Sequence, residues 1–581
     1  MDMFSEEVQK ENMAMEKRWQ DMSSQMLNGG KIMSGNESGI ELKPVYTPED
    51  INDMDYKEIA LPGEYPLTRG NYPLHYQVMP LIMAHGYGFG TAEETRKRRE
   101  WLTKLGSTLH VGKDEFTTYV LTLDLPTQRG FDPDEPEARG KVGDCGLSIS
   151  SREDFKALYD GLPINKIFTT LIAIDNTLPV NAAYAAYVLE ERHLSLDNLY
   201  LVTCNLHHHG WFWDCASFPP ATAMKLDVEF IKFVVENCPL SFHGPVDGYN
   251  VGEAGATPVQ EAAFNLAHTV CLMEECLKVG LDPDDVASKF YAHPHVGMKL
   301  FEEIAKFRAT RRWWAKTFKE KFGCKRPESW QYRPLVSQTS GIALPAQEAL
   351  NNIIRTTIMT MAGMLSGLDG MWTSSYDEAL GIPTEEAVQL AVRVQQIISE
   401  ETDITKVSDP LGGSYYIEWL TNRMEEEINK VLKRMEELGG FMKCWETGWI
   451  RGEVEKAAYN RFKRLESGED VKVGMNKYRV EETPQLEAFR VSPEIEAAAV
   501  AKVKKYRQAR DNAKTKTALE KVREAALRIE KEWPRSCGCL MPALIEAARA
   551  GATTGEMHRV MREVSDSDII PVKKSGLGGT G

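Results

Sequence analysis

Residues 117–126, TTYVLTLDLP, form a short, largely apolar and β-branched stretch that stops at a proline, as a short strand leaving a sheet does. IFTTLIAID (167–175), NLYLVTCN (198–205) and PLSFHG (239–244) have the same strand-like character. Between and after them, SREDFKALYDGL, NAAYAAYVLEERH, AMKLDVEFIKFVVENC and TPVQEAAFNLAHTVCLMEECLKVG carry apolar residues at helical spacing. Strand and helix in regular alternation predict an α/β fold with a parallel sheet. Several such units in a row favour a (β/α)8 barrel over an open doubly wound sheet.

The rest of the chain reads differently. Residues 1–60 give a charged helix and a proline-punctuated segment, expected as an arm lying over a neighbour. The barrel is expected over 61–400. From 401 to 570, TNRMEEEINKVLKRMEELGG and the long stretch from Ser492 to Trp533 predict charged helices of alternating sign, which suits a solvated cap or interface arm. The last stretch, 571–581, is expected to be disordered.

Composition narrows the function classes. A net charge of −16 argues against a nucleic-acid surface, because phosphate binding needs a basic face. No apolar run approaches the roughly 20 residues that span a bilayer, and the amino terminus has no apolar signal core. The ten cysteines are scattered and suit a reducing cytoplasm better than a disulfide framework.

Candidate chemistry begins at GYNVGEAGAT (248–257), where Glu253 stands among small residues just after Tyr249 and Asn250. Small residues allow close backbone approach, and an acid in that setting usually has an assigned partner, although a turn residue is the blander reading. His207, His208 and His209 invite a metal reading. Consecutive side chains of a strand alternate in direction and cannot converge on one ion, so no metal site is expected. The pair in CGC (537–539) has no second pair at zinc spacing, and GYGFG lacks the strand and spacing of a dinucleotide fingerprint.

A longer set of blocks is more specific. LPGEYPLTRGNYP (61–73), GYGFGTAEET (86–95), DLPTQRGFDPDEPEARGKVG (124–143), EAGATPVQEAAFNLA (253–267), FEEIAKFRATRRWWA (301–315), QTSGIAL (338–344), TSSYDEALGIPTEEA (373–387) and DPLGGSYYIEWLT (409–421) occur in one order. In that order they resemble the methylmalonyl-CoA mutase family, of the large-subunit type. The resemblance implies an isomerase that rearranges the carbon skeleton of an acyl-CoA with adenosylcobalamin. No Asp-x-His-x-x-Gly, the family's cobalamin-ligand motif, occurs in the 581 residues. The resemblance therefore implies a separate small cobalamin-binding subunit as partner, with large subunits dimerised inside a heterotetramer.

Carried over residue by residue, Glu253 and Glu378 would contact the ribose of the adenosyl group, with Tyr249 and Asn250 beside them as catalytic candidates. Leu123, Leu125, Gln128, Gly341, Ile342 and Ala379 would face the corrin. Gly86, Tyr87, Thr170, Trp211, Trp213, Asn250, Gln338 and Asp369 would line the acyl-CoA site.

Departures from the family pattern bear on the substrate. The two arginines that serve the CoA end fall on Met79 and Ala84, with Arg308, Arg311, Arg312, Lys325 and Arg326 as candidate replacements. The tyrosine beside the adenosyl group falls on Gly86, which is expected to open room for a larger migrating group. The thioester histidine falls on Asn250, the carboxylate-clamping arginine on Trp213 and a second histidine on Trp372. An unpaired buried carboxylate costs several kcal/mol, so a bulky uncharged acyl chain against Trp211, Phe212 and Trp213 is expected. The alternative is a non-catalytic structural subunit of a heteromeric mutase, and a third reading keeps the chemistry but changes the thioester carrier.

Overall fold

A computed structural model describes residues 5–27, 35–86, 88–106, 108–111, 114–173, 176–204, 217–480 and 491–565. The strands are β1 (Ile82–Ala84), β2 (Thr108–Val111), β3 (Asp114–Thr122), β4 (Ile167–Ile172), β5 (Tyr200–Cys204), β6 (Phe242–Asp247), β7 (Phe290–His293), β8 (His295–Val296), β9 (Ser337–Thr339) and β10 (Gly370–Trp372). One sheet runs β2-β3-β4-β5-β6-β7 and the other β1-β10-β9-β8. Every ladder is parallel except the β2–β3 hairpin. β7 and β8 are two halves of one path around Pro294, which has no N–H to donate, so the two sheets follow one another in space.

Alternation along the strands sorts their side chains between two cores. Ile82 and Ala84 of β1, Val120 of β3, Phe168 and Ile172 of β4 and Tyr291 of β7 meet Leu335 and Val336 in one apolar cluster, with Tyr200, Phe242 and Trp372 packed on it. Members of both sheets share that cluster. Leu121, Leu123, Ile167 and Leu171 point the other way, into the larger core under the helices. The fold is mixed α/β with parallel sheets, as the alternation predicted.

The helices on that outer side start where the sequence supplies caps. Thr257 caps Pro258–Lys278 with a capping box, Pro258 leading the helix, and Ser151 does the same for Arg152–Tyr159. The helix Leu300–Lys316 is buried along most of its length and its charges are answered one by one. Arg308 pairs with Asp409 at 2.5 Å and Glu418 at 2.6 Å. Arg311 donates to the carbonyls of Leu67, Thr68 and Ser366, and Arg312 to Glu425 and Asn422. Arg326 pairs on the surface with Asp285, and Lys325 is exposed beside it. Arg308, Arg311 and Arg312 are committed to the fold, which corrects the expectation that they replace the missing CoA-side arginines, whereas Lys325 and Arg326 lie at the surface.

The charged carboxyl-terminal stretch forms two helices, Pro493–Ala509 and Asn512–Glu532. The break comes at Asp511, whose side chain accepts from the N–H groups of Ala513 and Lys514 and starts a new helix. Val522, Ala526 and Ile529 are buried, so one face of the second helix is core. Glu229 accepts from the backbone of Leu540 and Met541, fixing the following helix against Pro220–Asn237. Among the described residues no helix is long and apolar enough to cross a membrane.

Candidate functional site

At the carboxyl ends of the parallel strands lies an open cavity of about 420 Å³. Thr122 closes β3, Ile172 β4, Asp247 β6, His293 β7 and Trp372 β10, and each contributes to its wall, with Gln338 of β9 and His85–Gly86 just after β1. Parallel strands bring all their carboxyl ends to one face, where loops can vary without disturbing the sheet. That is why residues from strands nearly 300 positions apart converge here.

Asp247 begins the short helix Gly248–Glu253, accepting from the Asn250 N–H at 3.2 Å and from its Nδ2 at 3.0 Å. Tyr249 stacks on His293 with centroids 5.4 Å apart, and His293 faces Trp372 at 6.4 Å and 12°. Three rings thus form a stiff wall. Burial first, then the charges of Glu253, Glu378 and Asp247, push the Tyr249 phenol well above its usual range, so it stays a neutral donor.

Glu253 has its partner within the chain. Its carboxylate accepts from Ser340 Oγ at 3.2 Å, Gly341 N at 3.0 Å and Ile342 N at 3.1 Å, pinning the loop after β9. His295 Nε2 stands 3.2 Å away at ion-pair distance rather than in a well-aligned hydrogen bond. Burial opposes the His295 charge, but Glu253, Glu261 and Glu303 together raise its pKa. Lys306, 2.6 Å from Glu261 and 2.7 Å from Glu303, completes this buried charge network. Glu378 lines the cavity itself, and its carboxyl is raised to about 7 by burial, then by the charges of Glu253 and Asp377. The two glutamates therefore feel each other.

This arrangement can be set beside known proteins. The methylmalonyl-CoA mutase family model matches residues 35–567. The chain belongs to that family. It is 34% identical to the 2-hydroxyisobutanoyl-CoA mutase large subunit of Aquincola tertiaricarbonis, over 89% of this chain and 90% of that one. It is also 34% identical to a probable mitochondrial methylmalonyl-CoA mutase of Caenorhabditis elegans, over 94% of this chain and 72% of that one. The human mitochondrial enzyme is 32% identical, over 94% and 71%. The relatives are acyl-CoA mutases, isomerases by class, and the chain is an isomerase with them.

The family expectations map unevenly onto the structure. Gly86, Gln128, Tyr249, Asn250, Gln338 and Glu378 reach the cavity. Thr170 is buried on β4, with no hydrogen-bond partner for its Oγ1 among the described residues. Leu125 and Ile342 are exposed at 46% and 37%, and Ala379 is exposed as well, so apolar surface stands open near the cavity. Leu123 is a correction. It faces the outer core and is fully buried, so its side chain has no ligand face. Asp369 is another. It precedes β10, at the opposite end of the strand from the cavity, and sits 3.4 Å from His75.

The room expected above Gly86 is taken. A Cβ at 86 would overlap the Trp372 indole, so the small residue accommodates the large one on the neighbouring strand. Tyr87, Trp211, Phe212, Trp213 and the three histidines 207–209 lie outside the described residues.

Four groups went unread in the sequence. His293 and His295 sit in YAHPHVG, where strands of four and two residues give no periodic signal. His85 sits between Ala84 and Gly86, two departures from the family pattern, and carries no motif of its own. It bonds the Gly86 carbonyl at 2.8 Å, and burial lowers its pKa to about 4, so it is neutral. Arg98 belongs to RKRRE, a charge run that reads as a solvated helix face, yet Arg98 and Arg99 are 8% and 0% exposed.

Proposed function

We propose that this chain is the acyl-CoA-binding subunit of an adenosylcobalamin-dependent mutase, with the cobalamin held mainly by a separate small subunit. The carrying observation is Glu378 in the wall of the cavity on the carboxyl face, within electrostatic reach of Glu253, whose carboxylate pins residues 340–342. Bound there, adenosylcobalamin would supply the radical chemistry. The residues fit such a group. Glu378 offers a carboxyl toward ribose hydroxyls, Glu253 fixes the adjoining loop and shares that contact, and Leu125, Ile342 and Ala379 offer apolar surface to a corrin.

The chain's own contribution is orientation and exclusion of water. The Tyr249–His293–Trp372 wall is rigid and largely apolar. The Asn250 amide is turned to Asp247, so it holds the helix start more directly than it serves a carbonyl. Trp213, the basis for an uncharged acyl chain, lies outside the described residues. Arg98 supplies the cavity with a cation from another element, so the acyl group need not be uncharged.

The same reading closes the strands into a (β/α)8 barrel. It is supported by the single apolar cluster shared by both sheets and by Gly88, after β1, packed so closely on the Thr122 carbonyl of β3 that a Cβ would overlap it. A cytoplasmic location and an assembly of two large and two small subunits complete the proposal. They are supported by free thiols such as Cys238, Cys276 and Cys444, and by the large-subunit relative.

The test is to mix the full chain with a small cobalamin-binding protein of the family and adenosylcobalamin. A coloured complex that co-elutes is expected. Tight stoichiometric cofactor binding by this chain alone contradicts the division of labour.

A further inference from the structure

Arg98 stands on the helix Ala92–Lys104 and contributes to the cavity wall beside Phe89 and Pro383. It is 8% exposed. Nη2 donates to the Pro383 carbonyl at 3.0 Å, and the guanidinium lies 5.8 Å from the Phe89 ring centroid and 5.5 Å from that of Trp101. Among the described residues no carboxylate comes within 4.0 Å of it. A guanidinium has five N–H donors, and one contact to a carbonyl leaves most of them without an answer.

Arg311 is also buried without a carboxylate, but three backbone carbonyls surround it. Arg98 has one carbonyl and a cavity. A cation removed from water with no carboxylate in contact is costly, since Glu385 and Asp377 act on it only from beyond 4.0 Å, and Arg98 lines the cavity where a ligand would lie. Phe89, Trp101 and Pro383 hold the planar group in place, and a planar fork matches the two oxygens of a carboxylate or phosphate.

We propose that Arg98 binds an oxyanion of the ligand, and so sets which acyl thioesters the cavity accepts. This rests on the acyl-CoA reading above. The oxyanion has two possible sources, a free carboxylate on the acyl group and a phosphate of the CoA carrier. The first makes the chain a mutase for dicarboxylic acyl groups, against the expectation drawn from Trp213.

The experiment is calorimetric titration of the full chain with coenzyme A, isobutyryl-CoA and methylmalonyl-CoA, using wild type, Arg98→Gln and Arg98→Lys. If the acyl carboxylate is the anion, Arg98→Gln weakens methylmalonyl-CoA about tenfold or more and leaves isobutyryl-CoA within about twofold. If it is a carrier phosphate, all three weaken together. Arg98→Lys keeps the charge without the fork and should fall between wild type and Arg98→Gln, which also serves if the glutamine variant does not fold. Equal affinities for every probe in wild type and both variants overturn the proposal. A wild type that binds none of the three contradicts the acyl-CoA reading instead. Succinate and inorganic phosphate, followed by fluorescence of the adjacent Trp101, then decide: binding lost in the variants keeps the oxyanion site, and no binding overturns it.

Discussion

Arg308 and Arg98 are both arginines hidden from water, and they differ in what faces them. Arg308 is enclosed by Asp409 and Glu418 on a helix whose every cation is answered by the chain. Arg98 is held by one carbonyl and two aromatic rings and looks onto the cavity. A buried charge with its partners built in belongs to the fold. One whose partners are missing points to a ligand.

The largest effect that could break this contrast is on stability. Arg308→Met leaves two carboxylates buried without a cation and should cost about 3–5 kcal/mol, read as a shift of the urea midpoint. Arg98→Met removes an unanswered cation and should stay within about 1 kcal/mol of wild type. Equal losses in the two variants would erase the distinction.

Next comes the packing of the wall. Gly86→Ala should cost about 1–3 kcal/mol, because the new Cβ overlaps the Trp372 ring, and Trp372→Leu in the same chain should recover part of it. Additive losses in the double variant would mean that the two positions do not meet.

The smallest expected effect concerns pH. Glu378 has its folded pKa raised to about 7, so the folded chain holds a proton there that the unfolded chain releases near the ordinary glutamate value. Its contribution is fully present below the unfolded pKa and is lost as pH rises through about 7. Wild type should therefore lose melting temperature between pH 5 and 8 relative to Glu378→Gln. Parallel profiles would show that Glu378 titrates normally.

The sequence made the central strands legible because β3, β4 and β5 carry short apolar and β-branched stretches set between amphipathic segments. It hid β1 and β7 to β10, which are only two to four residues long, and β7 to β10 also contain histidine, glutamine or glycine. Such strands are recognised by their neighbours rather than by their own pattern. Glu253 and Glu378 were read through family blocks, but the part Glu253 plays in holding residues 340–342 was not, since backbone donors leave no trace in composition. Arg98 was concealed for the opposite reason. Four neighbouring charged residues made it look solvated, and only the packing of its helix shows which side of the run is buried.

The central claim is that the coupled glutamates serve an acyl-CoA rearrangement at the carboxyl face. The most direct measurement is turnover of methylmalonyl-CoA, isobutyryl-CoA and longer branched acyl-CoAs by the reconstituted complex, comparing wild type with Glu253→Ala and Glu378→Ala. The account predicts cofactor-dependent isomerisation of at least one of these thioesters, reduced about tenfold or more in each variant while the fold persists. Wild-type turnover in both variants, or no isomerisation of any acyl-CoA by a complex that has bound cofactor, would contradict it.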